Sequence, residues 1–215
     1  MNIVIRKEEE KDYRRVEEIA REAFWNLYFP GAKEHVVVNK IRKSQDFIKD
    51  LTYVIEVDNQ VEGGIFYSNS KIIGKNQEEY EVISFGPVFI SPKFHRQGLG
   101  RKLISYTIEK AKEMEYRAII ILGYPYHYET YGFLGGKKYN IYMEDGKFYK
   151  GLLVLPLYKD ALKNISGYPE FSKDLEVTEE EMEKFDKNFP YKEKKFQESQ
   201  KEFEKACVEL DERKY

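Results

Sequence analysis

"HRQGLGRKLI", residues 95–104, is the stretch that decides how the rest of the chain is arranged. Two glycines stand two apart, with arginine on either side and an apolar run after them. The preceding "VFISP" (88–92) has the look of a strand end, so the segment is a strand-to-helix turn. A helix N-terminus offers N–H groups without intrahelical partners and a partial positive charge. Glycine lets a ligand approach the backbone with no Cβ in the way, and Arg96 and Arg101 can add charge-assisted bonds. That combination outlines a diphosphate cradle. A plain helix start with ordinary surface arginines fits the spacing as well. Neither GxxxxGK[ST] nor GxGxxG is present.

Bulk properties narrow the classes. The 215 residues suffice for one domain with a sizeable core, with or without an appendage. A formal net charge of −2 gives no global pull toward nucleic acid or an anionic membrane. Basic residues are interleaved with acidic ones, and no aromatic-basic platform is visible. No apolar run reaches transmembrane length, and the N-terminus "MNIVIRKEEEKDYRR" lacks the pattern of a secretory signal. The lone Cys207 excludes an internal disulfide framework, and three scattered histidines give no metal cluster. These features predict a cytoplasmic protein with no metal, membrane or nucleic-acid partner. Charge changes abruptly near Leu157: residues 159–215 hold 12 Lys/Arg and 16 Asp/Glu, so about half of that segment is charged. We therefore expect a domain over 1–157 and a charged, mostly helical extension over 158–215.

Hydrophobic periodicity supplies the elements. "NIVIR" (2–6) alternates as a strand. Val16, Ile19, Ala20, Ala23 and Phe24 mark an amphipathic helix over 10–25, and Val37, Ile41 and Ile48 a second one over 33–49. "TYVIEV" (52–57) and "VEGGIFYSNSKII" (61–73) read as a hairpin, with a bulge or close backbone approach at Gly63-Gly64. A long strand over 78–91 should break or bend at Gly86-Pro87. Helix 98–114 buries Leu103, Ile104, Ile108 and Ala111. "RAIIILG" (117–123) is a central strand, joined to 78–91 by a right-handed crossover and parallel to it. A helical turn at 125–131 precedes a hairpin, 138–143 with 148–157. The expected fold class is a mixed α/β sheet. In the extension, Thr178 and Glu181 form a capping box. Phe196, Gln200, Phe203, Cys207 and Leu210 form a narrow helical seam, to be covered by the domain or by a second subunit.

"FGPVFISPKFHRQGLGRKLI" (85–104) resembles the coenzyme-A-binding segment of the GCN5-related N-acetyltransferase superfamily, signature (R/Q)-x-x-G-x-(G/A). His95 stands at its first position; Gly98 and Gly100 supply the glycines. "LGYPYHYETYGF" (122–133) resembles the same family's helix ending in Y-x-x-x-G-F, through Tyr128, Gly132 and Phe133. The likeness is strongest to a bacterial branch with "LGDPxYYxxxGF", whose Asp is Tyr124 here. It covers roughly residues 1–157.

The resemblance implies a strongly twisted mixed sheet of six or seven strands, with strands 78–91 and 117–123 splayed around the cofactor. It implies that acetyl-CoA is gripped by the main chain of Arg96, Gln97, Gly98, Leu99, Gly100 and Arg101. Val88, Phe89 and Ile90 would offer main-chain groups, a free N–H near Phe89 or Ile90 polarising the thioester. Tyr128 matches the family's general acid; its other reading is a ring that packs on the cofactor. Glu34 and His35 open the helix that borders the acceptor in this family, with His35 either a base or a packing residue. Among Trp25, Tyr28 and Phe29, mainly core by their neighbours, Tyr28 is the candidate for the acceptor pocket. The implied function is transfer of acetyl from acetyl-CoA to an amine of a small molecule or peptide, by a monomer or homodimer. A non-catalytic acyl-CoA-binding protein on the same fold is the alternative.

Overall fold

A computed structural model describes residues 1–215. Val16, Ile19 and Ala20 fall on one face of helix α1 (Tyr13–Phe24) and are fully buried. They pack with Val38 and Ile41 of α2 (Glu34–Ile41) onto Val54, Phe66 and Phe89 of the sheet. Leu103, Ile104, Ile108 and Ala111 of α3 (Leu99–Glu113) do the same on the opposite face, against Ile55, Ile65, Ile83 and Ile119. Each of the larger of these side chains, Val, Ile, Leu or Phe, contributes roughly 1.5–3 kcal/mol when fully buried. The sheet is thus covered on both faces.

The strands are β1 (Ile3–Lys7), β2 (Tyr53–Val57), β3 (Gln60–Gly74), β4 (Glu79–Ile90), β5 (Ala118–Leu122), β6 (Leu134–Gly135), β7 (Leu152–Pro156) and β8 (Gly167–Glu170). Their order is β1-β2-β3-β4-β5-β7-β6, with β8 on the end of β3. All pairs are antiparallel except β4 with β5. The sheet therefore has eight strands rather than six or seven. The close approach expected at Gly63 is present: a Cβ there would lie 2.5 Å from the Phe89 carbonyl. β4 runs through Gly86-Pro87 unbroken, and the ladder to β3 absorbs the missing proline N–H as a register shift between Ile65 and Tyr67.

Three expectations need correction. The second helix ends at Ile41, not at 49. Ser44 Oγ takes the Asp46 N–H (3.1 Å), and the Ile48 N–H reaches Tyr67 O (3.0 Å), pulling the chain onto β3. The hairpin 138–143 with 148–157 does not form. Gly136–Tyr139 is a 3-10 turn closed by Ile141 N–H to Gly136 O (2.9 Å). Residues 148–150 pair instead with the chain end, through Lys150 N–H to Glu209 O (2.8 Å) and Asp211 N–H to Phe148 O (2.7 Å). The seam, finally, is shorter than its sequence spacing. Helix α6 covers Glu198–Val208; Gln200 is buried and Phe203 half-buried, while Phe196 and Leu210 are exposed.

The segment after 158 packs on the rest of the chain. It supplies β8, and helix α5 (Glu179–Asp186), opened by the expected capping box, sets Asp186 on Arg21 (2.6 Å). Asn26, at φ 60°, ties the end of α1 to this segment. Its Oδ1 accepts from Gly31 N–H (2.9 Å) and Lys195 N–H (3.0 Å), and its Nδ2 donates to Glu193 O (3.1 Å).

One buried charge cluster holds α1, α2 and the N-terminal strand together. Arg42 donates to Glu8 (2.6 Å) and Glu17 (2.7 Å), all three side chains being at most 8% exposed. Arg42→Ala would leave two carboxylates buried without their cation. Denaturant unfolding should show a loss of about 3–5 kcal/mol; a loss typical of a surface pair would contradict this.

Candidate active site

The turn between β4 and α3 presents a row of free donors. None of the six N–H groups from Arg96 to Arg101 donates to a protein atom, although Phe94, His95 and Lys102 on either side do. Gly98 caps α3 at φ 81°, a left-handed conformation that favours glycine, and a Cβ there would meet nothing within 4 Å. A Cβ at Gly100 would make only an ordinary contact, 3.6 Å from Ile90. Protein packing does not demand glycine at Gly100, the second residue of α3. His95 braces the turn from below, its Nε2 lying 2.8 Å from Ile90 O. Every other arginine bonds to the protein (Arg6, Arg14, Arg15, Arg21, Arg42, Arg117 and Arg213). Arg96 and Arg101 alone keep their guanidinium groups unpaired.

Beside the turn the sheet opens. β4 and β5 share one bridge, Ile83 with Ile119, and part beyond it, while β3 and β7 hold their outer sides. Ser91 N–H donates to Glu62 O on the β3 side (2.7 Å). Main-chain direction alternates along a strand. Phe89 therefore also faces β3, and Val88 and Ile90 face the gap. This corrects one expectation: the Phe89 N–H belongs to the ladder, and its ring lies with Phe24 and Phe66 on the α1 side.

Tyr128 stands across the gap from that strand. It ends α4 (Pro125–Tyr128), and its ring meets Phe85 of β4 (5.8 Å) and Phe133 (5.9 Å). Gly123, just after β5, makes room for it: a Cβ there would fall 2.5 Å from Tyr128 Cε2. The hydroxyl has no protein partner, and burial pushes its pKa up to about 12. It is a protonated donor at neutral pH.

On the far side of Tyr128 lie Tyr28 and Glu34. Tyr28 is half-buried, and its pKa is pushed up by burial and by neighbouring Tyr128, Glu34, Tyr124 and Tyr126. Glu34 is buried; its Oε2 accepts only from Lys33 N–H (3.0 Å), and burial pushes its pKa up to about 7. His35 points the other way. It has no accessible surface and packs on Phe185 and Phe189, with Nε2 3.2 Å from Asp186 Oδ1 but without hydrogen-bond geometry. Burial lowers its pKa to about 4, so it is neutral and walled off. The expectation that His35 touches substrate is therefore withdrawn.

A family model, described as "Acetyltransferase (GNAT) family", matches residues 13–130. The chain belongs to the GNAT acetyltransferase family. YhbS of Escherichia coli K12, an uncharacterized N-acetyltransferase, is 25% identical over 114 residues, 53% of this chain and 66% of that protein. The crystal structure of YhbS in complex with CoA has a TM-score of 0.71 at 23% identity, over 81% of this chain and 92% of the other. A GNAT acetyltransferase of Brucella melitensis in complex with acetyl-CoA has a TM-score of 0.65 at 22% identity, over 81% and 99%. At those identities the structures establish likeness of fold. In this GNAT chain a groove of about 660 Å³, lined by Asn69, Glu81, Glu170 and Asp174 among others, lies at the opposite end of β4 and takes no part in the site.

The fold thus brings the 96–101 turn, Val88, Ile90 and Tyr128 around one gap, with Tyr28 and Glu34 beside it. Gly123 and Phe203 entered the sequence reading only as a strand end and a seam residue, not as parts of the site. Gly123 was legible only as part of "LGYPYHY"; nothing in the sequence links Phe203, on α6, to Tyr28.

Glu34 gives the site a pH signature. Its folded pKa is raised above the usual carboxylate value, so the protonated form favours folding. That contribution is full at acid pH and is lost as pH rises toward and through about 7. His35, with its pKa lowered, acts in the opposite sense between about 4 and 6.5. Comparison with Glu34→Gln cancels the His35 effect. Between roughly pH 5 and pH 8 the variant should gain about 3 kcal/mol on the wild type, measured by chemical unfolding at each pH. A constant difference would show that Glu34 is not held at a raised pKa.

Proposed function

We propose that this protein transfers the acetyl group of acetyl-CoA to a primary amine, by direct attack with both substrates bound. The observation that carries the proposal is the row of six unpartnered N–H groups, flanked by the two unpaired arginines and opening on the β4–β5 gap. Such a row suits a diphosphate. The groups aimed at the gap match the remaining needs of acetyl transfer.

In this reading the N–H groups of Arg96 to Arg101 bond the diphosphate oxygens, and the Arg96 and Arg101 guanidinium groups neutralise their charge. The N–H of Val88 or Ile90 donates to the thioester carbonyl oxygen as charge builds there. Glu34, with a pKa near that of its medium, takes a proton from the incoming ammonium group, directly or through water. The C–N bond forms, the C–S bond breaks, and Tyr128 gives its proton to the departing sulfur; the second proton lost by the nitrogen restores the Tyr128 hydroxyl through water, and Glu34 returns its proton to solvent. Cys207 needs no part, since direct attack leaves no acyl-enzyme.

Thiol release over a panel of amines tests the reaction. Tyr128→Phe should lower turnover about 10–100-fold, at or below the lower end of the usual effect of a general acid, with cofactor affinity nearly intact. Gly123→Ala, which drives a methyl into the Tyr128 ring, should lower turnover in the same way. Unchanged turnover in both would remove Tyr128 from the acid role, and absence of turnover by the wild type with every amine would leave an acyl-CoA-binding protein.

The cradle has its own test. Gly98→Val puts a branched side chain at a left-handed position facing open space. The thermal shift given by coenzyme A should vanish while the unliganded fold persists. An unchanged shift would place the diphosphate elsewhere.

A further inference from the structure

The rings on the acceptor side of Tyr128 form an arc. Tyr28 stacks on Phe203 (centroids 4.3 Å apart); Phe203 meets Tyr124 (6.4 Å), Tyr124 meets His127 (6.2 Å), and His127 meets Tyr128 (6.3 Å). Tyr126 adds to the rim, 5.3 Å from Tyr124 and 69% exposed. Phe203 comes from α6, which is anchored on the loop after α1. Gln200 Nε2 donates to Asn26 O (2.9 Å) and Ser199 Oγ to Leu27 O (2.9 Å). The Phe203 ring is thus held against Tyr28. Two carboxylates sit within the arc's electrostatic reach, Glu34 beside Tyr28 and Glu202 beside Tyr124.

We propose that helix α6 is a wall of the acceptor pocket, and that the pocket selects a primary amine joined to an aromatic ring, an arylalkylamine, with no carboxylate beside the nitrogen. The inference rests on the acetyltransferase reading above. Ring faces gain from stacking on an aromatic substituent and from an ammonium group lying over them. A substrate carboxylate next to the amine would be brought toward Glu34, where like charges repel in a poorly solvated site. The half-buried rings and exposed Tyr126 form a surface that accepts a flat apolar group.

The test uses 2-phenylethylamine, L-phenylalanine and propylamine, with thiol release as the rate and calorimetric titration into the CoA-loaded full chain as the affinity. 2-Phenylethylamine should exceed both others in kcat/KM by about tenfold or more. Phe203→Ala should raise its KM by about tenfold and leave the KM for acetyl-CoA unchanged, a split that a general loss of structure would not give. Tyr126→Ala removes an exposed ring without burial cost and should raise the same KM. Equal use of the three amines, or a KM indifferent to both substitutions, overturns the inference and leaves acetyl transfer standing. Binding of 2-phenylethylamine that weakens in Phe203→Ala, without turnover of any amine, sustains the wall and overturns the transferase reading. Absence of both binding and turnover of 2-phenylethylamine overturns the inference.

Discussion

The parting of β4 from β5 is the constraint on which the rest of the structure depends. Two parallel neighbours in a sheet normally pair along their length. Here they share Ile83–Ile119 and nothing further along. Each strand can part from the other because its outer side is satisfied: β4 pairs with β3 almost end to end, and β5 pairs with β7 through all five of its residues. The gap therefore exposes main-chain groups that would otherwise be spent on a ladder. The turn at 96–101, directly at its mouth, exposes six more. A concentration of unpaired donors on an ordered backbone is costly unless water or a ligand serves it.

The segment after 158 changes the meaning of that gap. Expected as a charged, mostly helical extension packing on the domain or on a second subunit, it lends β8 to the sheet, Asp186 to Arg21, and Phe203 to Tyr28. Asn26 is the joint, its side chain satisfying backbone groups of both partners. Substrate-side geometry thus depends on the end of the chain as well as on the part that carries the family motifs.

What the sequence disclosed follows from local physics. The stripes of α1 and α3 were readable from 3.6-residue spacing; Val16, Ile19 and Ala20 and all four residues of the α3 stripe are buried, while Ala23 and Phe24 are half-buried. The β4–α3 turn was readable because glycine and arginine act within a few residues. The order of elements through β5 and the parallel pairing of β4 with β5 followed from connection rules. The misreadings all arose where a distant segment competes. Residues 138–143 alternate like a strand, but the partner of 148–150 arrives from 209–211. Residues 42–48 carry helical spacing, but β3 claims them. Of the two readings of His35, base or packing residue, the second holds; which side of α2 faces the gap depends on α5, far along the chain. The raised pKa of Glu34 and the room made by Gly123 are properties of packing, which no local pattern announces.

The central claim is that amides of 96–101 hold the diphosphate of the acyl carrier and thereby place the acyl carbon in the gap. A crystal structure with coenzyme A bound tests it most directly. The account expects main-chain nitrogens of this turn at about 2.7–3.2 Å from diphosphate oxygens, with the thiol arm between β4 and β5 and the sulfur beside the Tyr128 hydroxyl. A diphosphate bound elsewhere, or a turn whose nitrogens are bonded to protein atoms in the complex, would contradict it.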